Sequence, residues 1–198
     1  KINLDLSDGD RLGIIGHNGA GKSTMLRILS GAFYPSEGNV KIQGKVNSLI
    51  DISLGIDPEL SGIQNVYLRL LVLGEKYSNI KKYINDIVVF SDLGNFMNLP
   101  VRTYSTGMLM RLLFSISMVL SSDILIMDEW LSVGDSQFKG KVESKLNEMV
   151  DNCKVFVIAS HDEGLIRKLC NRVLWLEHGE IKMLDSPDNV FDSLNVNK

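Results

Sequence analysis

Two patterns of apolar and polar residues recur along this chain, and each predicts a different kind of element. Short apolar runs without alternation occupy 124–127 and 155–158, which is typical of strands covered on both faces. Residues 24–29 predict a short helix, and the spacing at 63–73 and 80–90 predicts helices with one apolar face. This order favours an α/β fold in which helices connect the strands of a parallel core sheet.

Weaker signals predict a small antiparallel portion and a helical lobe. The segments 172–176 and 180–184 flank Glu177-His178-Gly179, which predicts a hairpin. From 51 to about 104 the pattern becomes helical, so we expect a helical lobe within a single domain that spans 1–198. Four further strands are predicted at 2–6, 11–15, 40–43 and 46–50.

The composition fits one folded domain with a sizeable core. The chain has 198 residues, of which 44% are hydrophobic and 23% are charged, close to the averages of soluble globular domains. Its formal net charge is -3, from 21 Lys and Arg against 24 Asp and Glu. This balance gives no sign of a basic surface that would bind nucleic acid, so we expect no nucleic-acid partner.

Cysteine spacing and apolar runs exclude two further classes. Cys153 and Cys170 lack the spacing of a zinc site or a disulfide framework, so we expect reduced packing residues in a cytosolic protein. The apolar segment 112–127 is interrupted by four serines and Asp123, too often for a spanning helix. The sequence starts at Lys1 without a secretory signal, and we expect that the native chain carries a further N-terminal strand.

A glycine-rich loop between a predicted strand and a predicted helix carries the strongest functional signal. Residues 16–24 read GHNGAGKST, which matches GxxxxGK followed by Ser or Thr in the required context. The alternative is a glycine-rich turn without a ligand. Backbone NH groups of such a loop surround phosphate oxygens, and the following helix N-terminus faces the same anions. Lys22 would contact the outer phosphates and Ser23 a magnesium ion. The candidate nucleotide-binding residues here are Gly16, His17, Asn18, Gly19, Ala20, Gly21, Lys22, Ser23 and Thr24.

An acidic pair follows the apolar run at 124–127. Asp128 stands at the tip of a strand beside the phosphate loop, where a magnesium-binding carboxylate is expected. Because side chains alternate along a strand, Glu129 is predicted to point away from Asp128 and to act as the general base on an attacking water. Taken alone, such a pair is more typical of a turn or a helix start.

The phosphate loop alone leaves several classes open, including kinases, GTPases and helicases, and one further segment separates them. Residues 104–108 read YSTGM and open a long apolar helix. They resemble the signature motif of ATP-binding cassette (ABC) ATPases, usually LSGGQ, with Ser105 and Gly107 retained. The resemblance implies that the Ser105 hydroxyl and the helix N-terminus bind an anion. Without that resemblance, Ser105 would be an ordinary helix cap.

Two more segments of the ABC pattern follow in the expected order. Residues 132–135 resemble the family's D-loop, which adds Asp135 to the nucleotide-binding residues. Ser160-His161 resembles the switch-histidine segment, which implies that His161 contacts the terminal phosphate. The resemblance also implies ATP and Mg²⁺ as cofactors. It assigns Glu129, His161 and Lys22 as catalytic residues, and Ser23 and Asp128 as metal ligands.

Three segments resemble one branch of the ABC family more closely than the general motifs require. They read GIDPELSG at 55–62, YSTGM at 104–108 and DEWLSVGD at 128–135. These segments are similar to those of polysaccharide exporters, the branch that includes the ATPases of O-antigen, capsule and teichoic acid export. The likeness lies in loop sequences and not in sugar-binding chemistry. It implies export of lipid-linked polysaccharide.

The family resemblance also implies partners and a place in the cell. Two copies would pair head to tail, each holding ATP between its own phosphate loop and Ser105 and Gly107 of the other copy. A membrane-spanning permease subunit would bind the helical lobe and the loop at 51–60. The chain would then lie peripherally at the cytoplasmic face of the inner (plasma) membrane, with the lipid-linked polysaccharide as cargo.

The sequence departs from the family pattern at three points. No Gln occurs at 46–60, where the family carries its Q-loop glutamine. No aromatic residue precedes Phe33, so we expect the adenine-stacking aromatic upstream of Lys1. Thr106 and Met108 replace Gly and Gln in the signature, which leaves less backbone freedom there. After the predicted hairpin, residues 185–198 are too few for the C-terminal sugar-recognising domain of some members.

Two other classes remain open. An uptake importer, or an efflux ATPase for lipids or drugs, would share the ATPase motifs, although importers typically keep Gln in both the Q-loop and the signature. A non-transport ABC protein of DNA repair or translation would carry coiled-coil insertions or two cassettes. One phosphate loop within 198 residues fits neither of those arrangements.

Overall fold

The computed structural model describes residues 2–129 and 136–196, and contacts divide the chain into two units. The first, here called the sheet unit, contains the described residues of 1–50, 122–131 and 150–198. The second, here called the helical unit, contains the described residues of 51–121 and 132–149. The segment 51–104, where the sequence predicts a helical lobe, lies within the helical unit.

Six strands form the sheet of the sheet unit. They are β1 (Arg11–Ile15), β2 (Val46–Ser48), β3 (Ile124–Asp128), β4 (Val155–Ala159), β5 (Arg172–Glu177) and β6 (Glu180–Asp185). In the order β2-β3-β4-β1-β5-β6, all neighbours pair in parallel except β5 and β6, which are antiparallel. The predicted α/β fold with a parallel core sheet is therefore confirmed, and the β5–β6 hairpin is its antiparallel portion.

Helices pack on the sheet and bury the residues of its apolar strands. The helices of this unit are α1 (Lys22–Leu29), α6 (Glu163–Leu169) and α7 (Pro187–Val196). All five residues of β4 are buried, which explains why its sequence shows no alternation. A Cβ added to Gly13 of β1 would lie 2.9 Å from two side-chain carbons of Ile166. Glycine thus lets α6 pack directly on the central strand.

The helical unit contains four α-helices among its described residues, and two short 3-10 helices, Gly94–Asn98 and Val101–Thr103. The α-helices are α2 (Gly62–Val72), α3 (Tyr77–Ser91), α4 (Thr106–Met118) and α5 (Ser136–Asn152), the last continuing past the unit boundary. Ser61 and Gln64 form a reciprocal capping box at the start of α2, which satisfies two backbone NH groups. Apolar residues spaced three and four apart meet in one core that includes Val66, Leu70, Ile80, Ile87, Leu112 and Ile116.

Two of the predicted strands are wrong. Residues 2–6 and 40–43 form no regular element, although both alternate apolar and polar residues. Val40 and Ile42 remain 42% and 37% exposed. Alternation alone does not make a strand, because each strand needs a hydrogen-bonded neighbour, and no described strand pairs with either segment. The strand predicted at 46–50 ends at Ser48.

The two cysteines are free, as their spacing in the sequence predicts. Cys153 and Cys170 are both buried thiols without a disulfide, and burial raises the pKa of Cys170 to about 12. A buried thiol with a raised pKa stays protonated and behaves as a packing residue.

Among the described residues, no helix has both the length and the apolar character that crossing a bilayer requires.

Candidate nucleotide-binding site

The loop between β1 and α1 is shaped by glycines with positive φ. Gly16, Gly19 and Gly21 have φ of 154°, 84° and 104°, in the region that favours glycine. A Cβ added to Gly16 would lie 2.2 Å from the carbonyl oxygen of Leu176, far inside van der Waals contact. The loop therefore has the tight backbone curvature that presents NH groups to an anion.

Lys22 begins α1 and lies over this loop. Its side chain is almost fully buried, and Nζ donates to the carbonyl oxygens of Gly16 at 2.8 Å and His17 at 3.2 Å. These acceptors fix the position of the ammonium group without neutralising its charge. The buried positive charge and the adjacent N-terminus of α1 together favour an anionic ligand.

Two carboxylates lie where β3 ends. Asp128 is the last residue of β3 and is in register with Ala159 of β4. Glu129 follows with a positive φ of 66°, and its NH donates to the Ala159 carbonyl at 2.8 Å. Strand alternation does not extend to Glu129 because the backbone turns there. Both residues line one cavity, and the predicted divergence of their side chains stays a prediction.

The end of β4 supplies two residues that contact Glu129. Ser160 is buried, and its Oγ donates to Oε2 of Glu129 at 3.1 Å. Nε2 of His161 lies 3.8 Å from Oε1 of the same carboxylate. About half of the Glu129 side chain remains exposed. The carboxylate is thus oriented by its neighbours and still open to solvent, as a group that receives a proton from water must be.

These elements enclose a cavity of about 290 Å³ beside the phosphate loop. Its described lining residues belong to the sheet unit: Asn18, Gly19, Gly21, Lys22, Ser23, Thr24, Asp128, Glu129 and His161. The fold thus gathers residues from three separate segments that the sequence motifs indicated one by one. They meet because the carboxyl ends of neighbouring parallel strands lie at one edge of a sheet.

Three predicted loop residues lie outside that cavity. Gly16 and His17 line a second cavity of about 370 Å³, which also contains His161. Ala20 is buried, and its carbonyl accepts a hydrogen bond from Gly179 NH at 3.0 Å. The loop therefore offers the first cavity one face only, and its other residues contact the β5–β6 hairpin.

The donor set at the cavity fits a nucleotide phosphate with a divalent cation. Backbone NH groups and Lys22 are donors for phosphate oxygens. The Ser23 hydroxyl and the Asp128 carboxylate are hard oxygen donors, the kind that Mg²⁺ takes together with phosphate and water. This fit rests on the cradle that glycines leave open and on the cationic side chain held above it.

The signature residues belong to the helical unit. Ser105 is the N-cap of α4, and its Oγ accepts a hydrogen bond from Met108 NH at 3.2 Å. Gly107 is the second residue of the helix, where an added Cβ would meet only Oγ of Ser105, at 3.8 Å. The structure thus supports the helix-cap role of Ser105, and its anion-binding role stays a prediction. Asp135 lies outside the described residues.

Sequence motifs did not indicate the two side chains that hold the loop at 51–60. Asn65 Nδ2 donates to the carbonyls of Asp57, Leu60 and Ser61, at 2.9, 3.2 and 3.1 Å, and Oδ1 accepts from Asp57 NH. One turn later on α2, Nη2 of Arg69 donates to the Asp51 carbonyl at 3.3 Å. Both side chains are buried. A polar pair at i and i+4 within an apolar helix face was the signal available.

Comparison with known proteins identifies the family of this chain. The family model for ABC transporters matches residues 1–132. The O-antigen export system ATP-binding protein RfbE of Yersinia enterocolitica is 45% identical over 91% of this chain and 76% of its own length. The teichoic acids export ATP-binding protein TagH of Listeria monocytogenes is 43% identical over 96% of this chain. This chain spans 56% of that TagH.

Solved structures agree with the fold. A dimeric, post-hydrolysis structure of the ATP-binding cassette MJ0796, bound to ADP and Pi, superposes with a TM-score of 0.72 at 23% identity. The match covers 94% of this chain and 89% of that one. Together with the family model and the phosphate-loop geometry, this likeness shows that the chain belongs to the ABC transporter family, as an ATPase domain of that family.

Proposed function

We propose that this chain hydrolyses ATP to drive export of a lipid-linked polysaccharide across the cytoplasmic membrane. The observation that carries the ATPase part is the single cavity shared by the phosphate loop, Asp128, Glu129 and His161. A glycine-rich turn without a ligand would not require a buried ammonium group and two carboxylates around one space. The export part rests on the names of the relatives and on the loop sequences.

In this proposal Glu129 is the general base. Its carboxylate accepts from Ser160 on one oxygen and lies near His161 on the other, so the side chain is held in one orientation. A water in the cavity would transfer a proton to Glu129 while attacking the terminal phosphate. His161 would donate to that phosphate, and Lys22 would stabilise the charge that develops on the transferred group.

Magnesium would be bound by Ser23 and Asp128. A magnesium ion held there would neutralise part of the negative charge of the phosphates during transfer. Ser23 is the second residue of α1 and Asp128 ends β3, so both donors belong to rigid elements rather than to the middle of a loop. We expect replacement of either oxygen donor to weaken nucleotide binding more in the presence of Mg²⁺ than in its absence.

A second copy of the chain would complete the site. The described lining residues of the cavity belong to the sheet unit, whereas Ser105 and Gly107 lie at the start of α4 in the helical unit. In the head-to-tail arrangement, the second copy would supply these two residues, and Asp135, to the ATP held here. The dimeric MJ0796 cassette with ADP and Pi is consistent with such pairing. ATP would then favour the paired state and hydrolysis would weaken it.

The proposed membrane partner is a permease that binds the helical unit. Large apolar side chains are exposed in the loop at 51–60, at the end of α2 and at the start of α3: Leu54, Val72 and Tyr77 are 63%, 64% and 59% exposed. Exposed apolar groups of this kind are typical of surfaces that bind another protein. This contact would hold the chain at the cytoplasmic face of the membrane. The relatives RfbE and TagH are named as ATP-binding proteins of export, which supports a membrane partner.

Replacement of Glu129 in the source cell tests the proposal. We expect Glu129→Gln to leave labelled lipid-linked polysaccharide on the cytoplasmic side, with a sugar composition that identifies the cargo. Glu163→Gln is the matched control, because Glu163 lies on α6 outside the first cavity. Normal surface polymer in the Glu129→Gln strain would overturn the export function, and a lipid or drug exporter or an importer would replace it.

The purified protein tests the ATPase part separately. Glu129→Gln should still bind ATP and lose turnover by about 10²-fold or more, since an amide cannot accept the proton of the attacking water. Lys22→Ala should weaken ATP binding as well. Unchanged turnover in Glu129→Gln would show that this residue is not the base.

A further inference from the structure

The tip of the β5–β6 hairpin contacts the phosphate loop at its start, middle and end. At the start, the Leu176 carbonyl abuts Gly16, where a Cβ would meet it at 2.2 Å. In the middle, Gly179 NH donates to the Ala20 carbonyl at 3.0 Å. At the end, the Leu176 side chain and Gly179 Cα lie within 4 Å of where a Cβ of Gly21 would be. The hairpin tip therefore supports the loop along its whole length.

A pair of histidines adds a fourth contact. The rings of His17 and His178 have centroids 4.8 Å apart and planes tilted by 56°, a geometry common for interacting aromatic rings. Nδ1 of His17 lies 2.8 Å from the Asn18 carbonyl, which fixes the ring on the loop side. On the other side of the contact, His178 is the first residue of the hairpin turn.

His178 occupies a backbone position that favours other residues. Its φ is 49° and that of Gly179 is 79°, so both turn residues are left-handed. Two-residue hairpin turns with two positive φ values strongly prefer Asn-Gly, Asp-Gly or Gly-Gly. Histidine, like asparagine and aspartate, is enriched among non-glycine residues in this region, but it is not one of the residues that this turn prefers most strongly. The backbone therefore does not select the imidazole, and the ring contact with His17 gives a reason for it.

The contact with His17 leads on to Lys22. The His17 carbonyl is one of the two acceptors that hold Nζ of Lys22, and Gly16, beside it, provides the other. Any movement of residues 16–17 would displace the ammonium group that is proposed to bind the outer phosphates. The hairpin tip is thus coupled through His17 to a nucleotide-binding charge.

We propose that His178 is a positioning residue for ATP, which acts through His17 to hold the phosphate loop and Lys22 in the binding geometry. The inference rests on the proposed binding of ATP at this loop. His178 need not touch the nucleotide. His178 thus has two roles: its ring positions the phosphate loop for ATP, and its backbone forms the hairpin turn.

Two variants of His178 separate these roles. His178→Asn removes the ring and supplies a residue that the turn prefers. We expect its melting temperature to equal or exceed that of the wild type while the Kd for ATP rises about threefold, as for a lost partly exposed aromatic contact. His178→Phe restores a ring at a residue less suited to the turn. We expect its melting temperature to fall and its Kd for ATP to stay near the wild-type value.

Calorimetric titration of the purified protein with ATP measures these Kd values, with melting curves beside them. Glu180→Gln, at the exposed start of β6, is the control within the same hairpin and should leave the Kd unchanged. Lys22→Ala shows whether the phosphate loop is the site at all. KM for ATP should rise in His178→Asn with kcat unchanged, because binding rather than chemistry is affected.

Different results would overturn different statements. If the variant with the higher melting temperature also bound ATP more tightly, His178 would act only through the stability of the turn. That result would overturn the inference. So would a wild-type Kd in His178→Asn, provided that Lys22→Ala binds ATP more weakly. If the wild-type protein bound no ATP, or Lys22→Ala bound it equally well, the proposed nucleotide site would fail and the inference with it.

Discussion

The phosphate loop at 16–21 and the loop at 51–60 are held in opposite ways. The first is held by backbone: positive-φ glycines, the Gly179 NH group and carbonyl oxygens that receive Lys22. The second is held by buried side chains of α2, Asn65 and Arg69. A backbone-held loop keeps a short sequence motif, because glycine is required position by position. A side-chain-held loop depends also on residues elsewhere in the chain, here Asn65 and Arg69 of α2, which the sequence of the loop does not indicate.

The largest loss of stability is expected at Gly16, where the backbone of the loop contacts the backbone of β5. Gly16→Ala places a Cβ against the Leu176 carbonyl, which cannot move without shifting β5. We expect a loss of about 3 kcal/mol of unfolding free energy, measured by urea denaturation, together with loss of ATP binding.

Gly19→Ala is the matched control for this loop. Gly19 also has a positive φ, but a Cβ there would meet nothing within 4 Å. We expect only the backbone strain of about 1 kcal/mol. Equal losses in the two variants would show that conformational strain, and not contact with the hairpin, limits the loop.

Removal of Asn65 should disrupt the other loop. Asn65→Ala removes the acceptor of Asp57 NH, whereas the carbonyls of Asp57, Leu60 and Ser61 each keep a backbone NH donor. An unsatisfied buried polar group costs about 1–3 kcal/mol, so we expect a loss of about 2 kcal/mol by the same denaturation. Hydrogen exchange should rise at 57–61. A loss of less than about 1 kcal/mol would show that the loop is held by other contacts.

Arg69 should matter less than Asn65, although both lie on one face of α2. Its Nε has no hydrogen-bond partner among the described residues, and burial lowers the pKa of Arg69 against the opposing effect of Asp51. Arg69→Met removes one bond to the Asp51 carbonyl and also removes a poorly solvated charge. We expect a change within about 1 kcal/mol. A loss as large as that of Asn65→Ala would mean that the guanidinium is a main support of the loop.

The smallest effect concerns a side-chain contact within the sheet unit. Asp123 accepts from Lys45 NH at 2.9 Å and pairs with Lys154 at 3.0 Å, and these contacts, the first foremost, lower the pKa of Asp123. A carboxyl whose pKa is lower in the folded state stabilises the fold above its unfolded pKa. That contribution is lost as the pH falls through the folded pKa.

The melting temperature checks this sign. The gap between the wild type and Asp123→Asn should be small at neutral pH and should close below about pH 4. High salt should reduce it, since the pair with Lys154 is exposed. A gap that widens towards acid pH would contradict the assigned direction of the pKa shift.

The elements that the sequence predicted well are those specified locally. The strand at 11–15, the apolar runs that became β3 and β4, and the hairpin at 172–184 were predicted within one or two residues. Periods of two and 3.6 residues, glycine punctuation and full burial leave local marks. The predicted strands at 2–6 and 40–43 failed, because pairing depends on a neighbour that the local pattern cannot show.

The candidate site divides in the same way. The residues of its cavity were each indicated by a motif, and the parallel sheet accounts for their meeting. The left-handed backbone of Glu129, and the support of the loop by Leu176, could not be read from the sequence. Both depend on backbone contacts between segments far apart in the chain: Glu129 NH with Ala159, and Gly16 with the Leu176 carbonyl.

The pairing of β1 with β5 also places an intrinsic fluorophore, Trp175, beside the start of the phosphate loop. Ile15, the residue before the phosphate loop, is in register with Trp175, whose indole lies beneath the ammonium of Lys182 and lines the same cavity as His17. The chain has two tryptophans, and Trp130→Phe would leave Trp175 as the single indole emitter. Its emission wavelength and quenching would then report rearrangement at the start of the loop in real time, without an attached label.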